Sequence, residues 1–124
     1  MYQKVTIVGH LGADPEMRFL PDGKPVASFR MATSRKWAQG EETIWWRVSC
    51  WGTLAETVNE HLRKGRLVLV EGQMHADPKT GGPRVWQDKD GTPRASYELT
   101  ASIVKFLGGA KQDGDAGQAP ELPF

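Results

Sequence analysis

Residues 43–51 read Thr-Ile-Trp-Trp-Arg-Val-Ser-Cys-Trp, and the alternation of apolar and polar side chains in this stretch predicts a β-strand. Successive side chains of a strand point to opposite faces. One predicted face is almost wholly apolar and suits a core, and it carries Ile44, Trp46, Val48 and Cys50. The wetter face carries Thr43, Trp45, Arg47, Ser49 and Trp51. Indole rings beside a guanidinium favour stacking of unpaired nucleobases and contact with phosphate. The alternative is that both faces are buried and the tryptophans only fill volume.

Strand patterns continue on both sides of this segment. Residues 3–11, 26–33, 66–74 and 94–107 each show one, and the first three of these alternate or run apolar as buried strands do. Between them, residues 12–25 are rich in Gly, Pro and Asp and predict a loop or a short hairpin around Asp22-Gly23. Residues 34–42 are expected to be a connection. The chain therefore has five predicted strands.

One helix is predicted directly after residue 51. Thr53 with Glu56 three residues later matches a capping box. Gly65 is the expected left-handed stop, with Lys64 before it at the end that the helix dipole makes favourable for positive charge. The apolar stripe of this helix comprises Leu54, Val58 and Leu62.

Five strands with a single helix between the third and fourth predict an all-β OB-fold, a five-stranded Greek-key barrel. Such barrels bind oligonucleotides on strands two and three and on the first and fourth connecting loops. The long connection at residues 76–93 is then the fourth loop. It carries Lys79, Arg84, Trp86 and Lys89, which suits a flexible arm that grips a strand of nucleic acid. The alternative is an ordinary surface hairpin whose Trp86 folds back on the barrel.

The charge pattern divides the 124 residues into a body and a tail. Residues 1–107 hold 15 Lys/Arg against 12 Asp/Glu and form one predicted domain. Residues 108–124 hold one Lys against three acids, show no apolar periodicity and are expected to be disordered. The tail ends in Glu121, Leu122, Pro123 and Phe124, a tip that fits docking into a partner protein. The alternative is a frayed end without a function.

Several function classes lack support in the sequence. No apolar run approaches the ~18 residues of a membrane span, and the N-terminus has no secretory pattern, so we expect a cytoplasmic protein. Cys50 is the single cysteine, which is compatible with a reducing compartment and excludes a multi-cysteine zinc site. We expect no metal and no cofactor, because the three histidines are far apart and no phosphate-binding loop pattern is present. A nuclease would need clustered carboxylates, and an OB-fold module that only bridges partners would carry few stacking aromatics.

Ordered phrases along residues 4–107 resemble the bacterial single-stranded DNA-binding protein family. The order and spacing of the phrases together are specific, although each phrase alone is weak. They are Lys4-Val5, Val8-Gly9-His10-Leu11-Gly12, Asp14-Pro15-Glu16, Pro21-Asp22-Gly23, Val26-Ala27, Ala32-Thr33-Ser34, Trp45-Trp46-Arg47-Val48, Trp51-Gly52-Thr53-Leu54-Ala55-Glu56, Leu62-Arg63-Lys64-Gly65, Val70-Glu71-Gly72-Gln73 and the terminal Pro123-Phe124.

The resemblance implies an OB-fold subunit that assembles as a homotetramer, binds and protects single-stranded DNA in replication, recombination and repair, and recruits replication and repair proteins through its tip. No enzymatic turnover is implied. The stacking aromatics of the family correspond to Trp37, Trp45, Trp51 and Trp86. Its phosphate-facing cations correspond to Arg18, Arg47 and Lys64, with Lys4, Arg30, Arg35 and Lys36 as further candidates.

Overall fold

The computed structural model describes residues 1–108, which form seven strands and one helix. In chain order these are β1 (Val5–Leu11), β2 (Glu16–Phe19), β3 (Pro25–Trp37), β4 (Gly40–Trp51), α1 (Thr53–His61), β5 (Leu67–His75), β6 (Arg84–Gln87) and β7 (Pro93–Leu107). In this part of the chain, no helix is both long and apolar enough to cross a membrane. The predicted tail, residues 108–124, lies outside the described residues except for Gly108.

The five longest strands close into a barrel. The sheet runs β1-β5-β7-β4-β3, and β3 returns to β1 through the pairs His10–Ala32 and Leu11–Met31. All neighbouring strands are antiparallel except β4 and β7, which are parallel. The helix lies between the third and fourth barrel strands. The predicted fold class, an OB-fold barrel with one helix at this place, is therefore confirmed, and β2 and β6 are short additions that pair with β3 and β7.

The core follows the predicted alternation. On β3 the side chains of Ala27, Phe29 and Met31 are buried, and on β4 Val48 and Cys50 are fully buried opposite them. The helix adds Ala55 and Val58, and Leu62 directly after it adds a third side chain that is completely buried against the barrel. Burying this apolar surface is the main favourable contribution to folding.

The start and end of the helix differ from the prediction. No side chain caps the helix, so the predicted capping box of Thr53 and Glu56 is wrong. Strand β4 runs into the helix through Gly52 alone, whose positive φ of 68° makes the turn, and the backbone N–H of Glu56 bonds to the Gly52 carbonyl. The helix ends at His61, because Leu62 is already extended. Gly65 has the expected positive φ but lies in the following turn, where its N–H bonds to the Leu11 carbonyl.

Residues 34–42, which were expected to be a connection, belong mostly to two strands. Strands β3 and β4 form one long hairpin with only residues 38 and 39 between them. Opposite charges face each other across it, Arg35 against Glu42 and Lys36 against Glu41. Such cross-strand pairs stabilise a sheet, and they explain why polar residues continue the strands beyond the barrel.

The connection at residues 76–93 also contains regular structure. Strand β6 pairs with the first residues of β7 in a hairpin closed by a turn at residues 88–92. Gly91 in this turn has a φ of 80°, which glycine adopts without strain. The fourth connection is thus a β-hairpin that extends the sheet beyond the barrel.

A bulge in β7 divides this strand into two parts. Glu71 pairs with Ile103 and Gly72 with Ala101, so that Ser102 is one extra residue. Before the bulge Leu99 and Ala101 point inward, and after it Val104 and Phe106 pack against the core.

The outer face of β1, β5 and β7 beyond the bulge carries several apolar side chains, together with Lys105 beside Leu69 and Glu71 beside Ile103. Val8 lies beside Leu69, and Leu67 beside Leu107, in register. Ile103 on the same face exposes 39% of its surface. Apolar patches of this kind on a sheet surface mark interaction sites when they are large enough.

Candidate nucleic-acid interface

The two faces of β4 have opposite environments. Trp46 is 8% exposed and its indole N–H donates a hydrogen bond to Thr33 Oγ1 over 3.0 Å. Trp45 and Trp51, on the other face, are each 41% exposed. The alternation read from residues 43–51 therefore corresponds to the structure, and the alternative in which both faces are buried does not.

Trp45 lines an open groove with Trp86, which is 40% exposed. The groove lies between the strands β3 and β4 and the β6–β7 hairpin, and its volume is about 660 Å³. Residues of four strands and of the β6–β7 turn line it: Arg30, Trp45, Trp46, Arg47, Arg84, Trp86, Asp88, Arg94, Ala95 and Ser96. Two half-exposed indoles separated by 41 positions in the sequence thus meet at one surface.

Register explains how this surface forms. Arg30 pairs with Arg47 across β3 and β4, so both side chains point to the outside of the barrel. Trp86 pairs with Arg94 across the hairpin, and both lie on the face that continues along β7 through Ser96 and Glu98. The hairpin thereby places a second aromatic and further arginines opposite the first set.

The four arginines of the groove have different partners. The Arg30 guanidinium lies over the Trp45 ring, 4.8 Å from the ring centroid. Arg84 Nε donates to Glu98 Oε2 over 3.2 Å, and Arg94 Nε donates to Asp88 Oδ2 over 2.9 Å. Within residues 1–108, neither Arg30 nor Arg47 has a carboxylate oxygen within 4 Å. The β3–β4 side of the groove therefore carries two arginines that the described acids do not neutralise.

Asp88 organises the turn of the hairpin. Its Oδ1 accepts hydrogen bonds from the backbone N–H groups of Asp90 and Thr92. The hydrogen bond from Arg94, followed by that from Thr92, lowers the pKa of the Asp88 carboxyl below its ordinary value. Asp88 is thus a turn residue, and no group of three or more possible metal ligands occurs among the described residues.

Trp51 lies outside this groove, beside a smaller pocket of about 240 Å³. Ser49, Glu98 and Thr100 contribute polar atoms to it, and His75 Nε2 and Thr100 Oγ1 share a hydrogen bond of 2.5 Å. This pocket adjoins the groove along the same outer face. The pair Ser49–Thr100 lies two residues beyond the pair Arg47–Glu98 along β4 and β7, so both pairs point to the same side. The Trp51 surface therefore continues the groove along the barrel.

The remaining predicted residues lie around the groove or away from it. Trp37 is at the tip of the β3–β4 hairpin, half exposed, with the Arg35 guanidinium 5.4 Å from its ring centroid, and Lys36 lies next to it. Arg18 on β2 pairs with Val26 on β3, and Val26 pairs with Trp51 on β4. Arg18 is therefore two strands away from Trp51 in the same register. Lys64 lies in the turn after the helix, where its backbone N–H bonds to Asp14.

Besides Arg84, two further predicted cations are already paired with acids. Lys4 forms an ion pair with Glu71, and Arg35 lies 3.6 Å from Glu42. Neither lines the groove. The Arg35–Glu42 pair is at the surface, where such interactions contribute little to stability, whereas the Glu71 side chain is only 16% exposed.

Sequence reasoning missed Arg94, Ser96 and His75. Alternation along β7 puts Arg94 and Ser96 on the same face as Glu98 and Thr100, so this signal was available. The position of His75 depends on the bulge between β5 and β7, which no local pattern shows.

Three comparisons relate this chain to known proteins. A family model described as the single-strand binding protein family matches residues 2–107. Single-stranded DNA-binding proteins of Neisseria meningitidis serogroup A and serogroup B are each 37% identical over 122 residues, which is 94% of this chain and 65% of theirs. The chain thus spans about two thirds of the length of these relatives. A solved structure described as a Plasmodium falciparum SSB complex with ssDNA matches with a TM-score of 0.68 and 26% identity, over 86% of this chain and 96% of that one.

Proposed function

Because the chain belongs to the single-strand binding protein family, we propose that it binds single-stranded DNA stoichiometrically and without sequence preference. The observation that carries this proposal is the groove in which Trp45 and Trp86, both half exposed, lie among four arginines. The similar fold of the Plasmodium falciparum SSB, whose structure is described as a complex with ssDNA, supports the proposal.

Stacking is the proposed source of affinity and of strand selectivity. A base stacked on an aromatic side chain contributes roughly 1–3 kcal/mol, and every base has a π-face, so the interaction tolerates any sequence. Duplex DNA hides these faces between paired bases. A groove that binds by stacking on Trp45 and Trp86 therefore selects single strands.

The arginines supply the phosphate contacts. Arg30 and Arg47 lie directly opposite each other across two antiparallel strands, and like charges in this position destabilise a sheet. A phosphate between them would relieve the repulsion and accept charge-assisted hydrogen bonds. On single strands each neutralised phosphate changes the slope of log K against log salt by about −0.7.

The other candidates fit a longer path for the strand. From the groove, the outer face continues past Ser49 to Trp51, with Arg18 further along, and the β3–β4 hairpin presents Trp37 and Lys36 beyond the barrel. We propose that these residues and Lys64 extend the binding surface. Lys4 and Arg35 are expected to contribute less, because DNA would have to displace Glu71 and Glu42 from them.

A fluorescence titration tests the proposed function. Binding of oligo-dT should quench the tryptophan emission at low salt, and the affinity should fall linearly with log salt concentration. A duplex of the same length, titrated in parallel, should quench weakly. Equal affinity for duplex and single strand, or no quenching by either, would contradict the proposal.

The cellular role is proposed from the resemblance and from the tail sequence. We infer a cytoplasmic protein of replication, recombination and repair, whose tip at Glu121, Leu122, Pro123 and Phe124 recruits partner proteins. These four residues lie outside the described part of the chain. A protein that ends at residue 120 should bind oligo-dT normally and lose capture of replication and repair proteins. Unchanged capture would contradict the role of the tip.

The apolar outer face of β1, β5 and β7 supports assembly as a homotetramer. Val8, Leu67, Leu69 and Ile103 form a surface that a single subunit leaves partly exposed. Covering it with a second copy would bury apolar area, which is the usual driving force of homo-oligomers.

A further inference from the structure

Carboxylates occupy two of the four arginines of the groove: Asp88 lines the groove itself, and Glu98 lines the adjoining pocket beside Trp51. Glu98 accepts a hydrogen bond from Arg84, and Asp88 accepts one from Arg94. A carboxylate and a DNA phosphate are chemically similar ligands for a guanidinium, since both accept the same charge-assisted hydrogen bonds. Any phosphate that binds to Arg84 or Arg94 must therefore compete with an acid that is already there.

Glu98 lines the pocket beside Trp51 that adjoins the groove. In the barrel it is in register with Arg47 on one side and with His75 on the other, and its side chain reaches Arg84 on the hairpin. The side chain of Glu98 is 31% exposed. If DNA binds as proposed, its phosphates pass close to Arg84, and the negative charge of Glu98 lies at the same guanidinium.

The two acids differ in what else they hold. Asp88 accepts two backbone N–H groups of the hairpin turn, which makes it part of the local fold. Among the described residues, the Glu98 side chain has one hydrogen-bonding partner, Arg84. No backbone group of β7 depends on this carboxylate, so its charge is not needed to form the strand.

We propose that Glu98 is an internal competitor of DNA phosphate for Arg84, which lowers the affinity for single-stranded DNA and speeds its release. This inference rests on the proposed function. The groove then has two sides with different behaviour. Arg30 and Arg47 bind phosphate without displacing a described acid, whereas Arg84 engages DNA only when it leaves Glu98. Because Glu98 can replace DNA at Arg84, the DNA strand is released from this side of the groove more readily and can pass to another protein.

A different role for Glu98 predicts the opposite result. If the carboxylate served to position the Arg84 guanidinium for DNA, removal of its charge would weaken binding. Competition predicts tighter binding. The sign of the change in affinity therefore decides between the two roles.

The experiment compares the full chain with Glu98→Gln in oligo-dT titrations over a series of salt concentrations. We expect roughly fivefold tighter binding at low salt, which corresponds to the upper end of an exposed ion pair. The salt slope should steepen by about 0.7, because Arg84 gains a phosphate contact. The dissociation rate, measured by competition with unlabelled oligo-dT, should fall.

Glu60→Gln is the matched control. Glu60 lies exposed on the helix and outside the groove, and the substitution changes the net charge by the same amount. Its affinity should remain within twofold of the wild type. A gain as large as that of Glu98→Gln would show an effect of overall charge and would overturn the inference.

Arg84→Gln completes a double-mutant cycle. In this background Glu98→Gln should gain clearly less affinity, because the Arg84 guanidinium for which Glu98 and phosphate compete is no longer present. An equal gain in both backgrounds, or unchanged or weaker binding by Glu98→Gln alone, overturns the inference. If the Gln variant unfolds, Glu98→Thr replaces it in the same titrations, because threonine favours β-strands. Absence of binding by the wild type would instead overturn the proposed function itself.

Discussion

Trp45 and Trp46 are neighbours in the chain, yet only one of them is available to a ligand. The pleat of β4 turns Trp46 into the barrel, where Thr33 satisfies its N–H, and leaves Trp45 open beside Arg30. Gly12 makes room for this ring, since a Cβ at that position would lie 2.7 Å from it. The exposed indole is therefore held in place by its surroundings before any DNA arrives.

Substitution of either groove tryptophan should weaken DNA binding without unfolding the barrel. We expect Trp45→Ala and Trp86→Ala each to cost about 1–3 kcal/mol, or roughly 5- to 150-fold in affinity for oligo-dT. Val85→Ala is the control, because Val85 lies on the opposite side of β6 and outside the groove. Both tryptophan variants binding as tightly as the control would contradict the assignment of the groove.

Cys50 lies on the opposite, buried face of β4. Burial raises the pKa of its thiol to about 11, so the native thiol stays protonated and unreactive at neutral pH. In unfolded chains a cysteine ionises near pH 8.5. Because the folded pKa is the higher one, this group should lower stability as the pH rises from about 8.5 towards 11. Thiol labelling should accordingly be slow in the native protein and fast in denaturant, and rapid native labelling would contradict the burial.

At the scale of elements, local patterns predicted the existence of the barrel strands and of the helix, but not how far they extend. The alternation of residues 43–51 and the stripe of Leu54, Val58 and Leu62 are local signals that the core confirms. The ends of β3 and β4 depend on partners across the hairpin, such as Glu42 for Arg35, which a reading of one segment does not include. The meeting of Trp45 with Trp86 depends on barrel closure, and no local pattern contains it.

Close approach of strands β5 and β7 makes Gly72 a sensitive position. A Cβ at residue 72 would lie 1.9 Å from the Thr100 carbonyl oxygen, which the rigid ladder cannot move. Gly72→Ala should lower the free energy of unfolding by about 3 kcal/mol or more, measured by urea denaturation.

Gly82→Ala provides the comparison for this prediction. Gly82 lies in the loop before β6, and a Cβ there would meet only the Thr80 hydroxyl at 3.8 Å. Its stability should stay close to that of the wild type. Similar stability of both variants would show that the strands separate more easily at residue 72 than the structure implies.

At the scale of the whole molecule, the barrel presents two outer surfaces with different chemistry. The face of β3, β4 and the β6–β7 hairpin is aromatic and basic, while the face of β1, β5 and the end of β7 carries an apolar patch with Glu71 and Lys105 beside it. DNA on the first surface and further copies of the chain on the second would not obstruct each other.

A charge on the apolar surface should separate the subunits. Ile103→Lys would put an ammonium group where the proposed assembly excludes water, which is costly for a buried, unpaired charge. We expect a lower mass in size-exclusion chromatography with light scattering. Val85→Lys adds the same charge on the hairpin and should leave the mass unchanged. If Ile103→Lys keeps the wild-type mass, the subunits associate through another surface.

The extra residue in β7 has a consequence for insertions and deletions. Because Ser102 reverses the parity of inward and outward positions, the first half of the strand contributes to the aromatic and basic surface and the second half to the one with the apolar patch. Loss of this single residue would exchange the roles of every side chain on one side of it and turn Val104 and Phe106 towards solvent. Length at this point of the chain is therefore expected to be conserved more strictly than side-chain identity.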